Sequence, residues 1–197
     1  MGPADRRLGP ADCARQCVEA LTRGLPMPPA PKDPLYGMRA ACFVSIKKLG
    51  MLRGCIGTLE PTEQDLAHEI IRNARSAATQ DPRFPPVRAV ELDDLSYSVD
   101  VLSASEPATF DTLDPRRYGV IVSCGWRRGV LLPDLPGVDD VARQVGVALQ
   151  KAGIEPDEAF ELRRFTVTRY REGNVRGQPS SGGGCERLQE DGGDGCT

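Results

Sequence analysis

Three segments of the chain place apolar residues three to four positions apart, a spacing that predicts amphipathic helices. In the second segment, Leu66, Ile70 and Ala77 form part of one apolar stripe. Thr62 and Asp65 precede this stripe with the spacing of a capping box, so we expect that helix to begin at Thr62. The predicted helices cover residues 13–23, residues 62–80 and the segment from Asp139 or Asp140 to Ala152.

Six further segments are predicted to be β-strands, most clearly residues 95–101, where apolar and polar positions alternate. Short turns join four of these strands into two hairpins. Cys42 occupies an apolar position in the first strand and is expected to be a core thiol, and Trp126 is expected to pack on the second hairpin. Hairpins mixed with helices predict an α+β fold of antiparallel sheets with packed helices. The predicted strands are 40–47, 51–59, 95–101, 118–123, 128–132 and 162–170.

The last part of the chain differs in composition from the rest. We predict one domain over residues 11–171 and a glycine-rich tail over residues 172–197. The tail has few large apolar side chains, so it cannot bury enough surface to offset the entropy cost of ordering. We therefore expect the tail to be disordered.

Composition and charge exclude several classes of protein. The chain has 197 residues, a formal net charge of −3 and seven cysteines. A negative net charge argues against nucleic acid as a partner, because nucleic-acid binders need a basic face. No apolar run approaches the roughly 18 residues of a membrane span, and the N-terminus lacks a signal-peptide core. We therefore expect a cytoplasmic protein with reduced cysteines and no membrane partner, and we expect neither a metal nor another cofactor.

The densest chemistry lies in residues 52–57, which read LRGCIG. Gly54 and Gly57 flank Cys55, and Arg53 precedes it by two positions. Glycine can adopt positive φ and leaves the backbone bare, so a ligand could approach closely here. The segment is therefore the first candidate for a functional site.

One hypothesis makes Cys55 the nucleophile of an enzyme. Arg53 would lie on the same strand face and lower the pKa of the Cys55 thiol, and neighbouring N–H groups would stabilise an oxyanion. Glu60, Asp81, Arg83 and Arg128 would orient the substrate. The chain has a single histidine, His68, which is expected to be a solvated helix residue, so a convincing base is missing.

Two other hypotheses need no base. In the first, Arg53, Arg83 and Arg128 bind a small anionic ligand, a carboxylate or a phosphate, while the glycines allow close packing around Cys55. In the second, the site is structural and Arg53 forms an ion pair with Asp81 or Glu60. The candidate site residues are Arg53, Gly54, Cys55, Gly57, Glu60, Asp81, Arg83 and Arg128.

Three separated motifs are similar to those of the AMMECR1 domain family. They are LRGCIGTLEP at residues 52–61, DPRFPP at residues 81–86 and RRGVLLP at residues 127–133. The resemblance implies an α+β domain of two unequal lobes, with the first motif near a cleft between them. The small bacterial form of the family is associated with the AmmeMemoRadiSam system, so the resemblance also implies Memo-type and radical S-adenosylmethionine (SAM) proteins as partners. It implies no settled activity.

Overall fold

The computed structural model describes residues 8–174 and 176–179. It contains two antiparallel sheets with helices packed against them, which confirms the predicted α+β fold. The α-helices are α1 (Pro10–Arg23), α2 (Leu66–Thr79) and α3 (Val141–Ala152). The strands are β1 (Cys42–Lys48), β2 (Met51–Gly57), β3 (Leu95–Leu102), β4 (Glu106–Pro107), β5 (Gly119–Cys124), β6 (Arg127–Leu131), β7 (Glu161–Phe165), β8 (Val167–Arg171) and β9 (Gln178–Pro179).

The larger lobe is built on a five-stranded sheet of order β2-β1-β3-β8-β9. One face of this sheet packs against α1 and α2, because Val44, Ile46 and Val99 meet the apolar sides of both helices. Since side chains alternate along a strand, the neighbouring residues point to the opposite face. We call that surface, which carries Ser45 and Lys47 on β1 and Ser96 and Ser98 on β3, the open face.

The smaller lobe has a four-stranded sheet of order β4-β7-β5-β6, with α3 packed against it. A separate apolar cluster joins this lobe to one end of the larger sheet. Ala41 and Leu102 of the larger lobe meet Ile121 and Phe165 of the smaller lobe there, together with Val167. The two lobes therefore share a continuous apolar junction.

The predicted strand 162–170 is wrong as one element, because the chain changes sheets at Thr166. β7 belongs to the smaller sheet and β8 to the larger sheet. Thr166 and Ser103 exchange two hydrogen bonds of 3.0 Å where the chain crosses. Phe165 and Val167 both remain buried in the lobe junction, so the apolar alternation continues through the break. The sequence pattern therefore carries no sign of it.

Two further sequence predictions need correction. The helix predicted from Thr62 begins at Leu66, because the Asp65 carboxylate accepts the His68 N–H at 2.9 Å and caps α2. The Thr62 N–H instead donates to Glu69 at 2.8 Å, so the predicted capping box is wrong. Trp126 does not pack on its hairpin: it lies in the turn between β5 and β6 and is 92% exposed.

The predicted disordered tail lies largely outside the described residues. Of residues 172–197, only 172–174 and 176–179 are described, and they include β9. Gln178 and Pro179 pair with Arg169 and Thr168 of β8. Across the described part of the chain, no helix is long and apolar enough to cross a bilayer.

Candidate functional site

The two glycines of the LRGCIG segment make room for other parts of the protein. A Cβ atom at Gly54 would lie 2.3 Å from the carbonyl oxygen of Ala77 in α2, and one at Gly57 would lie 2.3 Å from the Phe43 ring. Neither glycine has a positive φ. The expected bare backbone is therefore covered by α2 at Gly54 and by a neighbouring side chain at Gly57.

Arg53 occupies a β-bulge and is buried. Gly54 pairs with Ile46 and Leu52 pairs with Lys47, which leaves Arg53 as the extra residue of β2. Its guanidinium donates to both carboxylate oxygens of Glu91, at 3.1 and 3.0 Å, in a bidentate ion pair. Arg53 is the main reason that the pKa of Glu91 falls to about 2. The predicted partners Asp81 and Glu60 are therefore wrong, and the bulge interrupts the alternation that was expected to align Arg53 with Cys55.

Asp81 and Arg83 hold the backbone of Cys55 at the outer edge of the sheet. The Cys55 N–H donates to the Asp81 carboxylate at 2.8 Å, and Arg83 donates to the Cys55 carbonyl at 3.4 Å. Arg83 and Asp81 are also joined to each other by hydrogen bonds of 2.9 and 2.8 Å. This pair, which we call the edge clamp, takes the place that a neighbouring strand would occupy.

The edge clamp changes both the electrostatics and the chemistry of the site. Asp81 is only 4% exposed, and hydrogen bonds from Arg83 are the main reason that its pKa falls from 3.8 to about 2. The carboxylate is therefore charged at neutral pH. The amide N–H of Cys55, which could have faced an oxyanion, already donates to this carboxylate.

The Cys55 thiol is half-buried on the open face. Its sulfur accepts a hydrogen bond from the Ser45 hydroxyl at 3.3 Å. Strand register then places Ser98 beside Ser45 and Arg171 beside Ser98, so four strands form one transverse row of polar residues. Sequence reasoning missed this row, because its members are far apart in the chain and only strand pairing aligns them.

His68 lies far from Cys55 along α2. Its backbone N–H donates to the Asp65 carboxylate, and its ring Nδ1 atom lies 2.7 Å from an Asp65 carboxylate oxygen. Gly54 packs at Ala77, nine residues further along the helix, or about 14 Å at 1.5 Å per residue. His68 therefore belongs to the start of α2 and is not placed to act as a base for Cys55.

Glu60 and Arg128 form an ion pair between the lobes. Arg128 on β6 donates to Glu60 at 2.6 Å, and Glu60 follows β2 of the larger lobe. Arg128 holds the pKa of Glu60 below its ordinary value. This exposed pair puts two of the predicted residues at the lobe boundary, whereas Arg53 binds Glu91 and the edge clamp binds Cys55.

Each of the three predicted anion-binding arginines has a carboxylate partner. Arg53 binds Glu91, Arg83 binds Asp81 and Arg128 binds Glu60. Arg53 and Arg83 both contact one aromatic residue, with guanidinium carbons 5.9 and 5.5 Å from the Phe84 ring centre. Their role in binding a small anion stays a prediction. Sequence reasoning missed Glu91, because nothing in its spacing before Leu92 and Leu95 indicates an ion pair.

The other cysteines of the larger lobe are core residues. Cys13, Cys17 and Cys42 are buried, as predicted for Cys42, and burial raises the pKa of their thiols to about 12, 11 and 12. Within the described ranges, His, Cys, Asp and Glu side chains form no group of three or more that could hold a metal ion.

The geometry defines a class of two-lobed α+β domain in which a cysteine-bearing edge strand lies near the junction between the lobes. Residues 11–175 match the sequence profile of the AMMECR1 family, so the chain belongs to that family. This confirms the family resemblance of the three motifs.

Relatives and a solved structure support the same assignment. A Thermotoga maritima protein is 56% identical over 142 residues, covering 71% of this chain and 82% of that protein. A Clostridium acetobutylicum protein is 48% identical over 140 residues, covering 71% of this chain but only 30% of that longer protein. An uncharacterised protein of Pyrococcus horikoshii has a similar crystal structure, with a TM-score of 0.73 and 29% identity. That match covers 87% of this chain and 94% of the other.

Proposed function

We propose that this chain is a non-catalytic accessory module of the cytoplasm that binds Memo-type and radical SAM proteins. The observation that carries the proposal is the edge clamp: Asp81 and Arg83 occupy both backbone groups of Cys55. An acyl-transfer site at this cysteine would need donors that point at a reacting oxygen. Here the backbone N–H of Cys55 is used to hold the strand in place.

The lobe boundary supports a binding role. Glu60 is exposed and Arg128 is half-exposed, and the ion pair rests beside an apolar junction that holds both lobes. Charged, exposed residues suit recognition of a partner with complementary charge. The ion pair already restrains both side chains, so less side-chain entropy is lost when the surface is bound. We propose the Glu60–Arg128 boundary as the partner-binding surface.

The second candidate is an enzyme that uses Cys55. The half-buried thiol on the open face, with the Ser45 hydroxyl 3.3 Å away, favours this candidate. The position of His68 at the far end of α2 counts against a cysteine–histidine pair. The two candidates differ in which residue the function requires: Arg128 for partner binding, or Cys55 for catalysis.

The test uses the purified full chain and the purified Memo-type and radical SAM proteins of the same organism. We expect a complex by sedimentation velocity. Arg128→Ala should weaken this complex by roughly fivefold, since a charged contact at an interface rim contributes about 1 kcal/mol. Cys55→Ser and the control Arg75→Gln, on the exposed side of α2, should bind like the wild type.

Two outcomes would overturn the proposal. No complex with either protein would remove the accessory role. Turnover of a substrate in their presence that is lost in Cys55→Ser and retained in Arg128→Ala would establish the enzyme instead.

A further inference from the structure

The open face contains a pocket that neither the motifs nor the proposed partner surface uses. Its volume is about 350 Å³, within the range of sites for small molecules. Its polar lining is formed by residues of three strands and by one carboxylate that follows them: Lys47 of β1, Ser96 and Ser98 of β3, Arg169 and Arg171 of β8, and Glu172.

Strand register brings these side chains together. Lys47 pairs with Ser96, and Ser98 pairs with Arg171, so cations flank the two serines from opposite sides. Ser96 and Ser98 lie two positions apart on the same face of β3. The long side chains of Lys47 and Arg171 can therefore reach a group bound above the two hydroxyls.

Nearby carboxylates do not neutralise Lys47 and Arg171. Asp100 is bound by Arg169 through two hydrogen bonds of 2.6 and 2.5 Å. Glu172, on the pocket wall, accepts from the Tyr97 N–H at 3.0 Å and from Arg15. Within the described ranges no carboxylate lies within ion-pair distance of Lys47 or Arg171, and Arg171 contacts Gln178 at 3.5 Å.

We propose that the pocket formed by Lys47, Ser96, Ser98 and Arg171 binds the phosphate group of a small phosphorylated molecule. A guanidinium, an ammonium and two hydroxyls give donors in several directions, which suits the oxygens of a phosphate better than the planar pair of a carboxylate. Ser98 and Cys55 lie on the same transverse row, two strands apart, or about 10 Å.

The test measures binding of inorganic phosphate to the full chain by calorimetry and by amide chemical shifts. We expect saturable binding, with shifts at Lys47, Ser96, Ser98 and Arg171. Lys47→Gln and Arg171→Gln should each weaken it by roughly tenfold, because each removes a charge-assisted hydrogen bond. Arg75→Gln is the matched control, since α2 covers the opposite face of the sheet. Thermal unfolding checks that each variant is folded.

Several results would overturn the phosphate site. They are no saturable binding to the wild type, unchanged affinity in the Lys47→Gln/Arg171→Gln double variant, and acetate binding as tightly as phosphate. The proposed accessory function fails separately, because its readout is complex formation, which the Arg171→Gln variant should leave unchanged.

Discussion

At the scale of single residues, Gly54 shows how a helix can require glycine in a strand. The carbonyl oxygen of Ala77 occupies the space that a side chain at position 54 would need. The glycine is therefore explained by the close approach of α2, and its place next to Cys55 is not evidence that a ligand contacts the backbone.

We expect Gly54→Ala to lower the free energy of unfolding by about 3 kcal/mol, because α2 must move away from β2. Urea unfolding at neutral pH measures the change. Gly146→Ala is the control: a Cβ there meets open space on α3, and alanine should stabilise the helix by about 0.5–1 kcal/mol. If Gly54→Ala matched the wild type within 0.5 kcal/mol, the close packing would not be required.

At the scale of elements, the two lobes repeat one unit. Each has a hairpin followed by a helix that packs on the second strand of the hairpin: β1, β2 and α2 in the larger lobe, and β5, β6 and α3 in the smaller. A Cβ at Gly129 of β6 would lie 1.9 Å from the Ala148 carbonyl oxygen of α3, matching Gly54 against α2. In both units an arginine precedes this glycine.

The outer edge of β2 is protected by side chains in place of a strand. The edge clamp of Asp81 and Arg83 occupies the N–H and carbonyl of Cys55. Unpaired groups at a sheet edge otherwise invite pairing with another chain. The DPRFPP motif therefore has a structural role, which the pH dependence of the protein's stability can test.

The Asp81 carboxylate has a folded-state pKa of about 2, below its ordinary 3.8. Its stabilising effect is therefore complete above about pH 4 and is lost as the pH falls toward 2. We expect Asp81→Asn to be less stable than the wild type at pH 7, and the difference to shrink by about 2 kcal/mol by pH 2. Urea unfolding at pH 7, 4 and 2 checks this.

The control for that series is Asp93→Asn, because Asp93 is exposed. This variant should follow the wild type through the whole pH range. A constant difference between Asp81→Asn and the wild type from pH 7 to pH 2 would show that the charge on Asp81 does not stabilise the edge.

At the scale of the whole molecule, the apolar junction should hold the lobes together more strongly than the ion pair across their boundary. Phe165 is buried between the lobes, whereas Glu60 and Arg128 are accessible to solvent. We expect Phe165→Ala to lower the free energy of unfolding by about 3–5 kcal/mol. Arg128→Ala should lower the free energy of unfolding by less than about 1 kcal/mol, because solvent screens an exposed ion pair.

Urea unfolding followed by circular dichroism measures both variants. A larger loss in Arg128→Ala than in Phe165→Ala would contradict this account of the lobe junction. The wild type should unfold in one transition, since the junction cluster contains residues of both sheets.

The helices were largely predictable, because their apolar spacing is a local property. The stripe of Leu66, Ile70 and Ala77 is buried as predicted, and Gly153 ends α3 with a positive φ. The sheet change at Thr166 was not predictable, since the alternation between Phe165 and Val167 is the same whether one sheet or two receives the strand. Local patterns report burial but do not report which neighbour buries a residue.

The sequence by itself determined the α+β class, the amphipathic helices and the family, because these depend on periodicity and on short motifs. Only the tertiary structure decided the partners of the charged residues. A bulge directs Arg53 to Glu91, the edge clamp engages Cys55, and strand register aligns Ser98 with Arg171. These relations join residues distant in the chain. The pairing of strands and the packing of loops against the sheet set them, and no local pattern encodes either.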